Sequence, residues 1–360
     1  MKILHVITSL QTGGAETLVV NLMPRFRTLG HEVGVVVFNA MRTPLMDRLE
    51  KECPECKIYQ LGGSYYNPLY IVKLWRIMRR YDVIHTHNSS PQLYAAIANI
   101  LCRKKLVTTE HSTNNRKREK GGVLRLLDKW MYIRYDKVIC ISEIAEKKLR
   151  SYLGLVAPNI CTINNGVDVE GFRCASPMEA LKSDRFAVVM VAGFREAKDQ
   201  DTLIRAFKRL PKEEYELWLV GDGERRSELE ALVDGLDLRD SVKFWGLRTD
   251  IPEILNTADV VVMSSHFEGL SLSNIEGMSV GKPFIASDVD GLREMTQGAG
   301  LLFPHGDADA LAKTIRELHD NDSYCKEIAD RCYQRASHFD IKEMVRKYND
   351  IYLDITNERD

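Results

Sequence analysis

Residues 259–278, DVVVMSSHFEGLSLSNIEGM, place a β-branched apolar run directly before a serine- and glycine-bearing loop and a helix-period segment. Val and Met in succession favour a pleated strand, and the Ser and Gly that follow punctuate its end. The spacing predicts a strand over 259–263, a loop holding Glu268 and Gly269, and a helix starting within 271–273. A strand that is apolar on both sides belongs in a parallel sheet covered by helices on both faces. The same unit recurs along the chain. KILHVIT, EVGVVVF, YDVIHTH, KLVTTE and DKVICIS form one group of such runs, and FAVVMVAG, YELWLVGDG, SVKFWG, DVVVMSS and KPFIAS a second. Alternation of these runs with helical segments predicts an α/β fold of two doubly wound Rossmann-like domains facing each other across a cleft. The 360 residues suit two domains of ordinary size. The expected division is 1–172 and 173–340, with a linker near 172–185 that lacks either periodicity. A final helix over 341–360 is expected to cross back to the first domain.

With 44% hydrophobic and 28% charged residues, the composition is that of a globular protein without a disordered arm. MKILHVITSL is expected to be a first strand rather than a signal peptide. No run of about 18 apolar residues is present, so no membrane-spanning helix is expected. The eight cysteines are scattered and read as reduced thiols. Cys53 and Cys56 have metal-like spacing, but no second pair completes a tetrahedral zinc site. The net charge of −1 conceals an asymmetry: residues 1–172 carry 25 Lys and Arg against 15 Asp and Glu, whereas the remainder carries 25 against 36. The basic excess gathers at Arg76, Arg79 and Arg80, at 103–105, and at Arg116, Lys117, Arg118 and Lys120. These are either solvated faces or a surface that meets anionic headgroups.

Ligands of doubly wound sheets bind outside the carboxyl ends of the strands, and the unusual residues of this chain fall there. Gly13 and Gly14 precede a helix and let backbone amides approach an anion. The spacing is not that of the dinucleotide fingerprint, which argues against a dehydrogenase. Arg195 and Lys198 follow Gly193 in a strand–helix loop, a pair of cations suited to a departing diphosphate. No Walker lysine accompanies them. Glu268 and Glu276 are separated by a loop and a helix start, so the amides of Gly269, Leu270, Ser271 and Leu272 would face a phosphate at the positive helix end. The alternative for Glu276 is a capping box with Ser273, worth about 1 kcal/mol. His111 follows the strand KLVTTE and is either structural or a member of the site.

In order along the chain, GGAE, DVIHTH, TEHST, VICISE, INNGVD, LVGDGERRSELE, VKFWG, EGLSLSNIEGM and GKPFIASDVDGLREM resemble the retaining glycosyltransferases of GT-B architecture, within the large group 4 family. The resemblance covers almost the whole chain. It implies that Glu268 bonds hydroxyls of a donor sugar, that Glu276 bonds the nucleotide ribose, and that Arg195 and Lys198 stabilise the leaving diphosphate. It also implies that Gly14 meets that diphosphate, that His111 touches the sugar near the reacting carbon, and that the base lies against Leu247 and Arg248. The family pattern places an arginine directly after the glycine where Phe194 stands here, alanine after the second glutamate where Gly277 stands, and glycine where Asp290 stands. The implied function is transfer, with retention, of a sugar from a nucleotide sugar, UDP-linked hexose or N-acetylhexosamine before GDP-mannose, to a saccharide or lipid-linked acceptor in surface polysaccharide synthesis. No cofactor, obligatory metal or nucleic-acid partner is expected. The implied location is cytoplasmic, peripheral at the inner membrane face. A nucleotide-sugar epimerase, a phosphorylase, or a non-catalytic nucleotide-sugar-binding protein on the same fold is the alternative.

Overall fold

The structure is a computed structural model that describes residues 1–11, 13–39, 41–63, 67–111, 122–154, 159–268 and 272–357. The chain divides into two compact units, Met1–Asn165 with Lys342–Asp360, and Gly166–Ile341.

Unit 1 holds seven strands, β1 (Lys2–Ile7), β2 (Glu32–Asn39), β3 (Lys57–Gly62), β4 (Val83–His87), β5 (Lys105–Glu110), β6 (Lys137–Cys140) and β7 (Ile160–Thr162). Their order is β3-β2-β1-β4-β5-β6-β7, all parallel, so the direction of winding reverses between β1 and β4. Strand alternation sorts the side chains. Leu4, Val6, Ile84 and Leu106 join a core with Leu74, Ala95 and Met131 from the helices Leu69–Met78, Ser89–Cys102 and Val123–Ile133. His5, His85 and His87 point to the other side. There His5 lies against Phe26, and His85 against Tyr348 and Tyr352 of the helix Ile341–Asn357. Ile341, Met344, Val345, Tyr348 and Tyr352, the apolar stripe of that last helix, are all buried.

Unit 2 holds β8 (Phe186–Val191), β9 (Tyr215–Val220), β10 (Val242–Gly246), β11 (Val260–Met263), β12 (Phe284–Ser287) and β13 (Leu301–Phe303), in the order β10-β9-β8-β11-β12-β13. The reversal here falls between β8 and β11. Glu216 is fully buried in β9, and Arg185 at 3.1 Å and Lys243 at 2.8 Å neutralise it.

The junction differs from the expected linker over 172–185. The helix Val169–Cys174 already packs in unit 2: Asn256 donates to the Phe172 carbonyl at 2.6 Å and Arg173 to the Val280 carbonyl at 3.0 Å. Those bonds move the division to 165/166. Three strands, β3, β7 and β13, were not among the apolar runs read from the sequence, and all three are sheet edges. All eight cysteines are free thiols, and burial pushes Cys56 up to about 12.

Candidate functional site

In unit 2 the two loops that flank the reversal carry the candidate residues. After β8 the chain runs through Gly193, Phe194 and Arg195 into a 3-10 turn, Glu196–Lys198, and Asp199 then caps the helix Gln200–Phe207 by accepting from the Thr202 amide at 3.2 Å. After β11 it runs through Ser264, Ser265 and His266 to Glu268. Lys198 Nζ donates to Glu268 Oε1, and the Ser265 hydroxyl donates to the same oxygen at 2.9 Å. The backbone reinforces this bond between loops: the His266 amide donates to the Ala197 carbonyl at 2.9 Å, and the Ser264 hydroxyl to the Asp199 carbonyl at 2.8 Å. The Glu268 side chain is only 9% exposed, so its charge is held beside a cation with little water around it.

A third loop supports the first. A Cβ on Gly221 would lie 2.1 Å from the Ala192 carbonyl oxygen, and one on Gly223 2.4 Å from that of Phe194. Glycine at both positions lets the loop after β9 press on the loop that holds Arg195 and Lys198. Arg225 then clamps Asp201 with two bonds, at 2.6 and 3.1 Å.

The remaining sequence candidates fall into place unevenly. Gly193 and Arg195 are exposed, and the Arg195 guanidinium has no partner among the described residues. Gly269, Leu270 and Ser271 lie outside the described residues. Leu272 opens the helix Leu272–Ser279, and Glu276 is half-buried on its fifth position. Ser273 is the second residue of that helix rather than the residue that precedes it. Leu247 is 68% exposed after β10. Arg248 makes two bonds to Asp250, at 2.8 and 2.5 Å, and holds its carboxyl below the usual carboxylate range.

In unit 1, Gly13 and Gly14 follow β1 at the reversal, whereas His111 follows β5, one strand beyond β4. Gly13 caps the helix Gly14–Thr28 with an extended backbone, and the Glu16 carboxylate folds back over it, within 2.4 Å of where a Cβ would stand. Burial raises the pKa of Glu16, against bonds from its own amide and the Asn88 side chain. His111 stands just past β5 and joins a line of imidazoles. Its Nε2 is 2.8 Å from His87 Nδ1, and His87 Nε2 is 2.9 Å from His5 Nδ1. Burial lowers His5 to about 3 and His111 to about 4, and His85 and His87 well below the ordinary value. All four are therefore neutral near pH 7. His5, His85 and His87 were not singled out from the sequence, although a period-two HTH in β4 puts His85 and His87 on one face. Parallel pairing of His5 with His85 completes the cluster.

Among the described residues, two sets bring three ligand atoms within 4.8 Å: His5, His85 and His87, and Asp199, His266 and His305. Two imidazole nitrogens on one tetrahedral zinc ion stand about 3.3 Å apart, given zinc–nitrogen bonds of ~2.0–2.1 Å. His5 and His87 at 2.9 Å, and His266 and His305 at 2.6 Å, are closer than that, at hydrogen-bond distance. Arg116, Lys117, Arg118 and Lys120 lie outside the described residues. Lys105 is 12% exposed and 3.5 Å from Asp136, so it belongs to the fold rather than to a basic surface.

Two family models match the chain in succession, Glycosyltransferase Family 4 over residues 12–170 and Glycosyl transferases group 1 over residues 175–338. A protein of Bacillus subtilis (strain 168) named as glycosyltransferase EpsD is 31% identical over 354 residues, which is 91% of this chain and 90% of its own. The UDP-Gal:alpha-D-GlcNAc-diphosphoundecaprenol alpha-1,3-galactosyltransferase of Escherichia coli is 26% identical over 79% of each chain. The crystal structure of HepE from Anabaena in complex with UDP-glucose matches with a TM-score of 0.82 at 24% identity, over 98% of this chain and 99% of that one. This last likeness is one of fold.

Proposed function

Because the chain belongs to the glycosyltransferases of family 4 and group 1, we propose that it moves a sugar, with retention of anomeric configuration, from a UDP-linked hexose or N-acetylhexosamine to a lipid-linked or saccharide acceptor in surface polysaccharide synthesis. The observation that carries the reading is the Lys198–Glu268 pair across the reversal point of unit 2. A cation there stabilises charge that grows on a diphosphate as the glycosidic bond breaks, and a carboxylate there orients sugar hydroxyls. Arg195 supplies a second, exposed cation in the same loop. Glu276 bonds the ribose. Support for a UDP-linked donor and a diphosphoundecaprenol-linked acceptor comes from the names of the Escherichia coli relative and the Anabaena complex. The donor is assigned to unit 2 and the acceptor to unit 1. With lysine and arginine in the role of the counter-cation, turnover is expected to survive chelation of divalent ions.

The membrane face proposed for unit 1 is apolar as well as basic. The helices Leu69–Met78, Ser89–Cys102 and Val123–Ile133 leave Leu69, Val72, Ile100, Leu101, Leu126 and Ile133 exposed. Arg79 lies over Trp75 at 5.1 Å and Arg134 over Trp130 at 5.0 Å. Exposed leucines beside arginine–tryptophan pairs suit a helix face resting at the boundary of headgroup and acyl chain.

The test is a thermal-shift screen of nucleotide sugars, followed by nucleotide release with and without acceptor and by the anomeric coupling of the product. UDP-sugar stabilisation and acceptor-dependent UDP release with retained configuration are expected. Sugar interconversion without acceptor identifies an epimerase, dependence on inorganic phosphate a phosphorylase, and binding without turnover a non-catalytic protein. Any of these overturns the proposal.

A further inference from the structure

The imidazoles of unit 1 form a directed chain. His5 and His87 are fully buried, and the hydrogen bonds from His5 to His87 and from His87 to His111 are 2.9 and 2.8 Å long. The far nitrogen of His5, Nε2, is buried with no hydrogen-bond partner among the described residues. His85 stacks on His87 with centroids 4.6 Å apart and planes 16° from parallel. Its own nitrogens are taken by the Thr109 hydroxyl at 2.7 Å and the Tyr352 hydroxyl at 2.5 Å. His85 thus fixes the rings of the chain without sharing its protons.

Each of the three neutral rings carries one N–H, and two hydrogen bonds link them, so only two arrangements satisfy both bonds. If the chain runs from His111 towards His5, each ring donates from the nitrogen nearer His5. The last proton then sits on His5 Nε2, as a buried donor with nothing to receive it. If it runs from His5 towards His111, His5 donates from Nδ1, His87 accepts at Nε2 and donates from Nδ1, and His111 accepts at Nε2. The group left over at His5 is then a bare lone pair. Orphaned buried N–H groups are rarer in folded proteins than under-used acceptors, which favours the second arrangement.

We infer that His5 and His87 are positioning residues that hold His111 as its Nδ1–H tautomer, so that the ring offers a hydrogen-bond donor to an oxygen of the donor sugar. The inference rests on the reading in which His111 touches that sugar. The opposite tautomer would present a lone pair at the same place and would select an acceptor's partner, a hydroxyl proton. With Nε2 engaged by His87 and Nδ1 protonated, His111 has no free basic nitrogen, so it orients rather than abstracts.

The experiment labels histidine with 15N and reads the two-bond and three-bond proton correlations of each ring in the full-length protein. His111 is expected to show a protonated Nδ1 and an unprotonated Nε2. A proton on Nε2, or averaging between the two forms, overturns the inference. His5→Phe keeps an aromatic ring but removes the first donor, and is expected to mix the His111 tautomers and raise donor KM about three- to tenfold, the loss of one oriented hydrogen bond. His5→Asn, whose side-chain amide can donate from the position of Nδ1, is expected to restore both. Unchanged tautomer and KM in His5→Phe overturn the inference, and if that variant does not fold, the wild-type spectrum and His5→Asn decide. His111→Ala separates the two levels. If turnover and KM survive it, the sugar contact is wrong whatever the tautomer; if they collapse while wild-type His111 carries its proton on Nε2, the contact stands and the relay falls.

Discussion

The histidine cluster on β1, β4 and β5 of unit 1 and the pair of loops beside the reversal of unit 2 meet the same electrostatic problem in opposite ways. After β8 and β11, an ionised lysine and glutamate face each other with 22% and 9% of their side chains exposed. At β1, β4 and β5, four histidines are held neutral by burial and linked by hydrogen bonds. A buried charge needs a partner, whereas a buried imidazole can discard its proton. The first solution leaves full charges ready for a ligand to redistribute. The second gives direction without charge.

The comparison breaks most visibly at Lys198. Lys198→Ala removes the cation beside the leaving group and strands Glu268, so kcat is expected to fall about 10²–10³-fold, read by UDP release at saturating donor. Loss of less than about threefold would mean that the pair is structural. Glu268→Gln keeps the shape and one acceptor oxygen but loses the charge, and kcat/KM is expected to fall on the order of 10- to 100-fold, with the change mainly in kcat. Wild-type kinetics with a lowered melting temperature would reverse the assignment.

Glu276→Gln is expected to weaken UDP binding about tenfold, or about 1.4 kcal/mol by calorimetry, with a smaller effect on kcat. A change confined to melting temperature would return Glu276 to a purely structural role. The smallest effect sharpens the other side. An unfolded histidine titrates near 6.5, while His111 and His5 are lowered to about 4 and about 3 in the fold. Between those values the unfolded chain binds more protons, so the stability of the cluster is fully present above pH 6.5 and is lost as pH falls towards 4. His5→Phe should flatten that slope of melting temperature against pH by one proton's share. On the membrane face, Leu101→Asp with Leu126→Asp is expected to reduce sedimentation with anionic vesicles even at low salt, whereas raising salt alone should release the arginine contribution. Equal binding of the double variant would limit the attachment to charge.

Of the thirteen strands among the described residues, ten were visible as apolar runs: nine are interior strands, and the tenth, β10, is an edge strand that carries Val242, Phe244 and Trp245. β3, β7 and β13 were not, since edge strands need only partial cover and carry residues such as Lys57, Gln60 and Thr162. The positions of Lys198, Glu268 and His111 at strand ends were equally legible, because strand, loop and helix periods are local properties of the chain.

What the sequence determined by itself was therefore local: two series of parallel βα units, charged and glycine-bearing loops at their carboxyl ends, and the resemblance that weights those loops towards nucleotide-sugar chemistry. Strand order, which sets β8 beside β11 and β1 beside β4, was decided by the tertiary structure, and with it the Lys198–Glu268 bond between residues 70 positions apart. The last helix did the same for the histidines, since Tyr348 and Tyr352 reach Thr109 and His85 across more than 230 residues. Proton direction and ion pairing depend on which atoms are excluded from water together, and only the packed fold decides that.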